Sequence, residues 1–214
     1  MAWGNWTKEW LVNKAGIDPE RIVVTGTLIT NKKVPRMKHD KPGVLYAPRH
    51  WDKELSENLE VADELRKGKY EVFSKLLKGE NEIARYPHPV SSDRQGWNHL
   101  SLCFDMLSWA DVVVGIGEGT FGALTHLMDI PYISVDNWIT KDLLGKTYTR
   151  DEFVSQISPA AIQVPIGSLN KQIELCIKDP DINKKEREWF KKEVLNCPGD
   201  PLENIKKVIY ENEK

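Results

Sequence analysis

Eight residues, Gly115-Ile116-Gly117-Glu118-Gly119-Thr120-Phe121-Gly122, combine the features that let a backbone hold an anion. Glycine reaches positive φ and lets a ligand come close to the main chain. The segment leaves a β-branched run and enters a helical pattern, and a helix start exposes unbonded N–H groups and a partial positive charge. Phosphate is the ligand such a turn suits. The dipole contributes only about 0.3–1 kcal/mol at an exposed site, so several N–H donors and a cation from elsewhere must supply the rest. The pattern is neither a Walker A loop nor a G-x-G-x-x-G fingerprint. A competing reading is a glycine turn that only lets a strand pack closely on a helix. Glu118 opposes phosphate by charge. Its side chain is expected to turn away, or to accept from a ribose or sugar hydroxyl.

Cationic partners come from other strand ends. Arg49 and His50 follow one β-branched run, and arginine suits a bidentate phosphate contact. His88 stands between Pro87 and Pro89, whose rigidity presents the imidazole at low entropic cost, as a phosphate donor or proton shuttle. Thr25 and Gly26 end the first run, and Asp136 follows the fifth. The expected ligand-binding set is therefore Thr25, Gly26, Arg49, His50, His88, Gly117, Glu118, Gly119, Thr120, Phe121 and Asp136, with His88 as the catalytic candidate. His39, His99 and His126 have no partners at ligand spacing and receive no role. No Asp/Glu/His cluster has metal-ligand spacing, so no metal is expected, and no cofactor.

These segments need a scaffold that gathers strand ends. Arg21–Gly26, Gly43–Pro48, Glu82–Tyr86, Asp111–Ile116 and Tyr132–Val135 read as strands, with Ala161–Val164 as a short edge strand. The Asp111–Ile116 run is apolar on both faces, as in a central parallel strand. Helical patterns occupy Trp6–Lys14 (stopped by Gly16), one or two stretches between Asp52 and Lys78, then the segment carrying Leu100, Cys103, Phe104 and Leu107 at i, i+3, i+4, i+7, then Thr120–Met128. Three more follow, at Ser168–Lys178, Asp181–Asn196 and Pro201–Asn212. The last has Asp200 as N-cap, and Leu202, Ile205 and Ile209 form a docking stripe. Alternating strands and helices predict an α/β fold, a Rossmann-like three-layer sandwich with a mostly parallel sheet of five to six strands. Ligands in such sheets lie beyond the carboxyl ends of the strands.

A chain of 214 residues suits one domain, with residues 1–20 as an N-terminal helix and linker and 181–214 as C-terminal helices. A net charge of −2 gives no field to attract nucleic acid or an anionic membrane. Cys103, Cys176 and Cys197 are widely spaced, which predicts buried or incidental thiols in a reducing, cytoplasmic setting. No apolar run approaches the roughly 20 residues that span a bilayer, and the N-terminus lacks the apolar stretch of a signal peptide.

In this order the segments resemble the C-terminal, donor-binding domain of the CDP-glycerol glycerophosphotransferase family and, more loosely, GT-B glycosyltransferases and UDP-N-acetylglucosamine 2-epimerase. The resemblance runs from about Arg21 to the C-terminus. It is carried by Ile22-Val23-Val24-Thr25-Gly26, Leu45-Tyr46-Ala47-Pro48-Arg49-His50-Trp51, Tyr86-Pro87-His88-Pro89, Ala110-Asp111-Val112-Val113-Val114, Glu118-Gly119-Thr120 and Asp129-Ile130-Pro131-Tyr132-Ile133. It implies a single GT-B half that binds a nucleotide diphosphate-activated sugar or polyol, CDP- or UDP-linked, and it places His88 on the family's phosphate-contacting histidine. Gly119 and Thr120 replace the family's paired serines, and the acceptor domain with its W-H-G motif has no match. The chain is then expected to be a fragment, one subunit of a split enzyme, or a donor-binding domain put to another use. The partners implied are an acceptor-domain protein or a second copy of the chain, with peripheral membrane association through such a partner. A non-catalytic nucleotide-binding or assembly module and a sugar-nucleotide epimerase remain as alternatives.

Overall fold

The structure is a computed structural model, and it describes Ala2 and residues 4–27, 35–47, 56–74, 84–85, 99–118, 120–135, 158–195 and 199–211. The chain forms two compact units. One joins Met1–Lys33 with Lys185–Lys214, and the other is Val34–Lys184.

The larger unit holds the sheet. Its strands are β1 (Gly43–Ala47), β2 (Glu71–Ser74), β3 (Ala84–Arg85), β4 (Val112–Ile116), β5 (Tyr132–Val135) and β6 (Ile162–Val164), in the order β3-β2-β1-β4-β5-β6. Every pairing is parallel. Its helices are α2 (Ser56–Leu65), α3 (His99–Trp109), α4 (Thr120–Leu127) and α5 (Leu169–Lys178). Successive strand residues face opposite sides of a sheet. All five residues of β4 and all four of β5 are buried, so both faces are covered. α3 packs on β1, and α4 and α5 pack on β4 and β5. The core lies between these layers, around Val44, Leu45, Tyr46, Val112–Val114, Ile133 and Val135.

Strand order reverses direction between β1 and β4. The chain winds outward from β1 through β2 to β3, returns to β4 beside β1, and winds the other way to β6. The two neighbours are registered Val44↔Val112 to Ala47↔Gly115. Below them, at the amino-end rim, the Asp111 carboxylate accepts from the Gly43 N–H at 2.9 Å and pairs with Arg36 at 3.2 Å and His39 at 3.4 Å. These contacts fasten the segment entering β1 to the head of β4.

Two expectations fail here. Residues 21–26 are not a sheet strand: Val24 makes only an isolated parallel bridge to Ala2, because the chain turns into α1 (Asn5–Ala15) two residues after that contact. β2 lies where only helices were expected. Its four residues are set in a polar stretch, and it is defined by pairing to β1 and by Phe73 against Trp109, with centroids 4.7 Å apart. Tertiary partners, not local pattern, make this strand.

The smaller unit contains α1, α6 (Lys184–Glu193, which starts at the unit boundary) and α7 (Pro201–Glu211). α1 ends at Gly16 in the left-handed region, φ 65°, with the Ile17 N–H returning to the Leu11 carbonyl at 3.2 Å. Asp200 caps α7 as expected, accepting from the Leu202 N–H at 2.7 Å. The stripe on α7 is not docked as predicted. Leu202 and Ile209 are 45% and 49% exposed. Cys103 and Cys176 are buried thiols, and Cys197 lies outside the described residues. Among those residues no helix is long and apolar enough to cross a membrane, and no side-chain group is arranged to hold a metal ion.

Leu45 is wholly buried in β1 between its neighbours β2 and β4. Leu45→Ala is expected to lower unfolding free energy by about 2–5 kcal/mol in urea denaturation.

Candidate functional site

In an open α/β sheet the connections at a direction switch leave in opposite senses and open a crevice beyond the carboxyl ends of the strands. That point here lies between β1 and β4. β4 delivers Gly117 and Glu118 to it, followed by the start of α4 at Thr120. β1 ends at Ala47, beside Gly115 of β4. β3 runs parallel to both and ends at Arg85 on the same rim. Arg49, His50, His88, Gly119 and Asp136 themselves lie outside the described residues.

The turn after β4 is built from the inside. Gly117 has φ 71°, a conformation that favours glycine. Its carbonyl accepts from the Tyr132 hydroxyl at 2.6 Å. Tyr132, from β5, is buried; its hydroxyl occupies the room left by Gly115, and its ring lies at contact distance from Gly122. A Cβ at Gly115 would lie 2.2 Å from the Tyr132 hydroxyl oxygen, and one at Gly122 would lie 3.5 Å from the ring. The close-packing role considered for these glycines therefore holds for Gly115 and Gly122, while Gly117 turns the chain.

Glu118 is directed into the protein. Oε1 lies 2.6 Å from His126 Nε2 and accepts from the Ser158 hydroxyl at 2.9 Å, while Oε2 accepts from the Ser158 N–H at 2.5 Å. An ionised carboxylate only accepts, so His126 Nε2 carries the proton in this contact. Both side chains are nearly sealed from water, at 6% exposure for Glu118 and 0% for His126. Gly122 and His126 lie four residues apart along one line of α4, and Glu118 stands four residues before Gly122, ahead of the helix. Without a side chain at Gly122, Glu118 lies flat along that line: a Cβ there would be 2.7 Å from Glu118 Cγ. The His126 ring then meets Tyr132 edge-on at 5.8 Å.

This arrangement sorts the expected contacts. Glu118 gives its oxygens to protein donors, not to the crevice. The Phe121 ring is buried. Thr120 opens α4, and the first-turn N–H groups have no acceptor within the helix. Thr25 and Gly26 belong to the smaller unit. There the Thr25 hydroxyl contacts the carbonyls of Ala2 and Gly26 at 3.5 and 3.3 Å, and Gly26 has φ 78°. His126 and Ser158 were given no role from sequence. The eight-residue spacing from Glu118 to His126, two helical turns, was the available signal for the first, and Ser158, 40 positions away, carried none. His39 is engaged with Asp111 at the opposite rim.

No protein-family model and no curated protein matches the chain. Solved structures do. A variant of the wall teichoic acid polymerase TagF, soaked with CDPG, shares the fold at TM-score 0.57 and 15% identity over 99% of this chain and 57% of that one. CalG4, the calicheamicin glycosyltransferase, matches at 0.53 and 14% over 95% and 51%. UDP-GlcNAc 2-epimerase from Neisseria meningitidis, bound to UDP-GlcNAc, matches at 0.50 and 14% over 99% and 59%. The fold is the Rossmann-like α/β fold of GT-B proteins. The chain spans a little over half the length of these structures.

Two outcomes follow from the packing around Tyr132. Gly115→Ala is expected to cost about 1–3 kcal/mol, and Tyr132→Phe a similar amount by leaving the Gly117 carbonyl unsatisfied. Because the hydroxyl is the atom the new methyl meets, the double variant should lose less than the sum, as read in a urea double-mutant cycle. Burial, and secondarily the Glu118 charge, also holds the Tyr132 phenol above its ordinary value. A group whose proton is held more tightly when folded stabilises fully below its unfolded value, about 10, and less as pH rises beyond it. Stability should therefore fall above about pH 10, less steeply in Tyr132→Phe.

Proposed function

We propose that this chain is the donor-binding half of a GT-B-type transferase, holding a nucleoside diphosphate linked to a sugar or polyol. The carrying observation is the junction of β1 and β4, where a glycine turn with φ 71° at Gly117 leads into the open N-terminus of α4 at the sheet's direction switch. The diphosphate would lie against the Gly117–Phe121 turn and accept from its N–H groups. As the donor bond breaks, the electron pair leaves with the nucleotide phosphate, and Arg49 and His88 are the groups assigned to stabilise that charge. The acceptor, and the base that takes its proton, would come from a partner domain or subunit. A CDP- or UDP-linked donor is favoured by the resemblance in sequence, and a role in cell-wall or polysaccharide synthesis is the setting proposed.

A sugar-nucleotide epimerase is the second reading, favoured by the shared fold with the Neisseria enzyme. Turnover separates the two: an epimerase converts a UDP-sugar with no acceptor, whereas the donor half of a transferase does not.

A thermal-shift screen against CDP-glycerol, UDP-sugars, GDP-sugars and free nucleotides should give selective stabilisation by one base. By calorimetry, His88→Ala should weaken the preferred ligand about tenfold, the size expected for one charge-assisted hydrogen bond. Absence of any nucleoside diphosphate affinity at millimolar ligand would end this reading.

A further inference from the structure

We infer that Glu118 is a positioning residue for the diphosphate turn: its carboxylate latches the start of α4 to Ser158 and His126 and fixes the first-turn amides without touching the ligand. The inference rests on the function proposed above. Electrostatics make it worth testing. A buried negative charge behind an anion-binding turn opposes the ligand, so by Coulomb's law alone its removal should tighten diphosphate binding. The geometry predicts the opposite sign.

One carboxylate reaches three donor atoms on two elements. The Ser158 N–H and hydroxyl lie just before β6, and His126 lies on α4 itself. Ser158 is in turn held in place, its hydroxyl accepting from the Ala160 N–H at 3.3 Å. Gly122 keeps the path open, since any side chain there would displace Glu118 at its Cγ. Tyr132 restrains the other end of the turn through the Gly117 carbonyl. The turn is thus held from β5 at Gly117 and from Ser158 at Glu118. Loosening the second anchor lets the amides of Phe121, Gly122 and Ala123 fray. A preorganised donor set loses affinity when it must be ordered by its ligand.

The test measures CDP and UDP affinity by calorimetry, at a temperature where every variant is folded, for wild type, Glu118→Ala, Glu118→Gln and Gly122→Ala. Glu118→Ala and Gly122→Ala should each bind about tenfold or more weakly. The first removes the charge and the second keeps it, so a shared loss identifies position and not charge. Glu118→Gln retains an acceptor for the Ser158 N–H and should fall between them and wild type. Combining Gly122→Ala with Glu118→Ala should add little, because both break one latch. Amide hydrogen exchange at Phe121–Ala123 in the unliganded protein should be faster in Glu118→Ala than in wild type. Unchanged or tighter binding by Glu118→Ala, with wild type binding normally, overturns the latch and leaves the proposed function standing. If wild type binds neither nucleotide, the proposed function fails, and exchange alone then decides whether Glu118 fixes the turn. Equal exchange in the two proteins would sink that as well.

Discussion

A carboxylate shut away from water must be surrounded by donors, and the way Glu118 meets this demand shapes everything near the end of β4. Its oxygens reach Ser158 twice and His126 once. To reach His126 the side chain must lie along α4, which requires glycine at 122. Tyr132 fills the neighbouring space, bonds to the Gly117 carbonyl and excludes a side chain at 115. Three glycines that look alike in sequence thus answer three different requirements: two of close approach and one of backbone conformation. Glu118 and the Gly117 carbonyl are thus both directed inward.

The sheet supplies the second half of the arrangement. Parallel pairing sends every strand toward the same rim, and the reversal of order places β1 and β4 side by side there. The same fold serves a polymerase, a glycosyltransferase and an epimerase among its neighbours. The fold therefore specifies where a ligand goes more firmly than what is done to it.

Much of the scaffold was legible in the sequence because its elements carry their own signals. Asp111–Ile116 is apolar on both faces, as a strand covered on both sides must be, and it is central. Gly16 and Asp200 mark helix ends by backbone and side-chain chemistry that acts locally. Illegible were the features that depend on distant partners. β2 is short and is defined by β1 and Trp109, and residues 21–26 look like a sheet strand but form an isolated bridge to Ala2. At the site, the glycine turn and the helix start were readable. The inward path of Glu118 was one of two expected outcomes, and its partner Ser158, 40 positions away, could be found only from the folded arrangement.

The β1–β4 junction also sets the order of assembly. Gly43 and Asp111, bonded across it, are 68 positions apart, and among the described residues two strands and two helices intervene. The unit from β4 through α4 to β5 is local by comparison, with the Ile130 N–H returning to Thr125 and the Val113 N–H to Pro131. Closing the longer loop loses chain entropy before the contacts that offset it exist, so β1 joins late and limits the folding rate. Until it arrives, one flank of β4 presents the unpaired backbone of Val112 and Val114, a β-branched edge open to pairing with another chain.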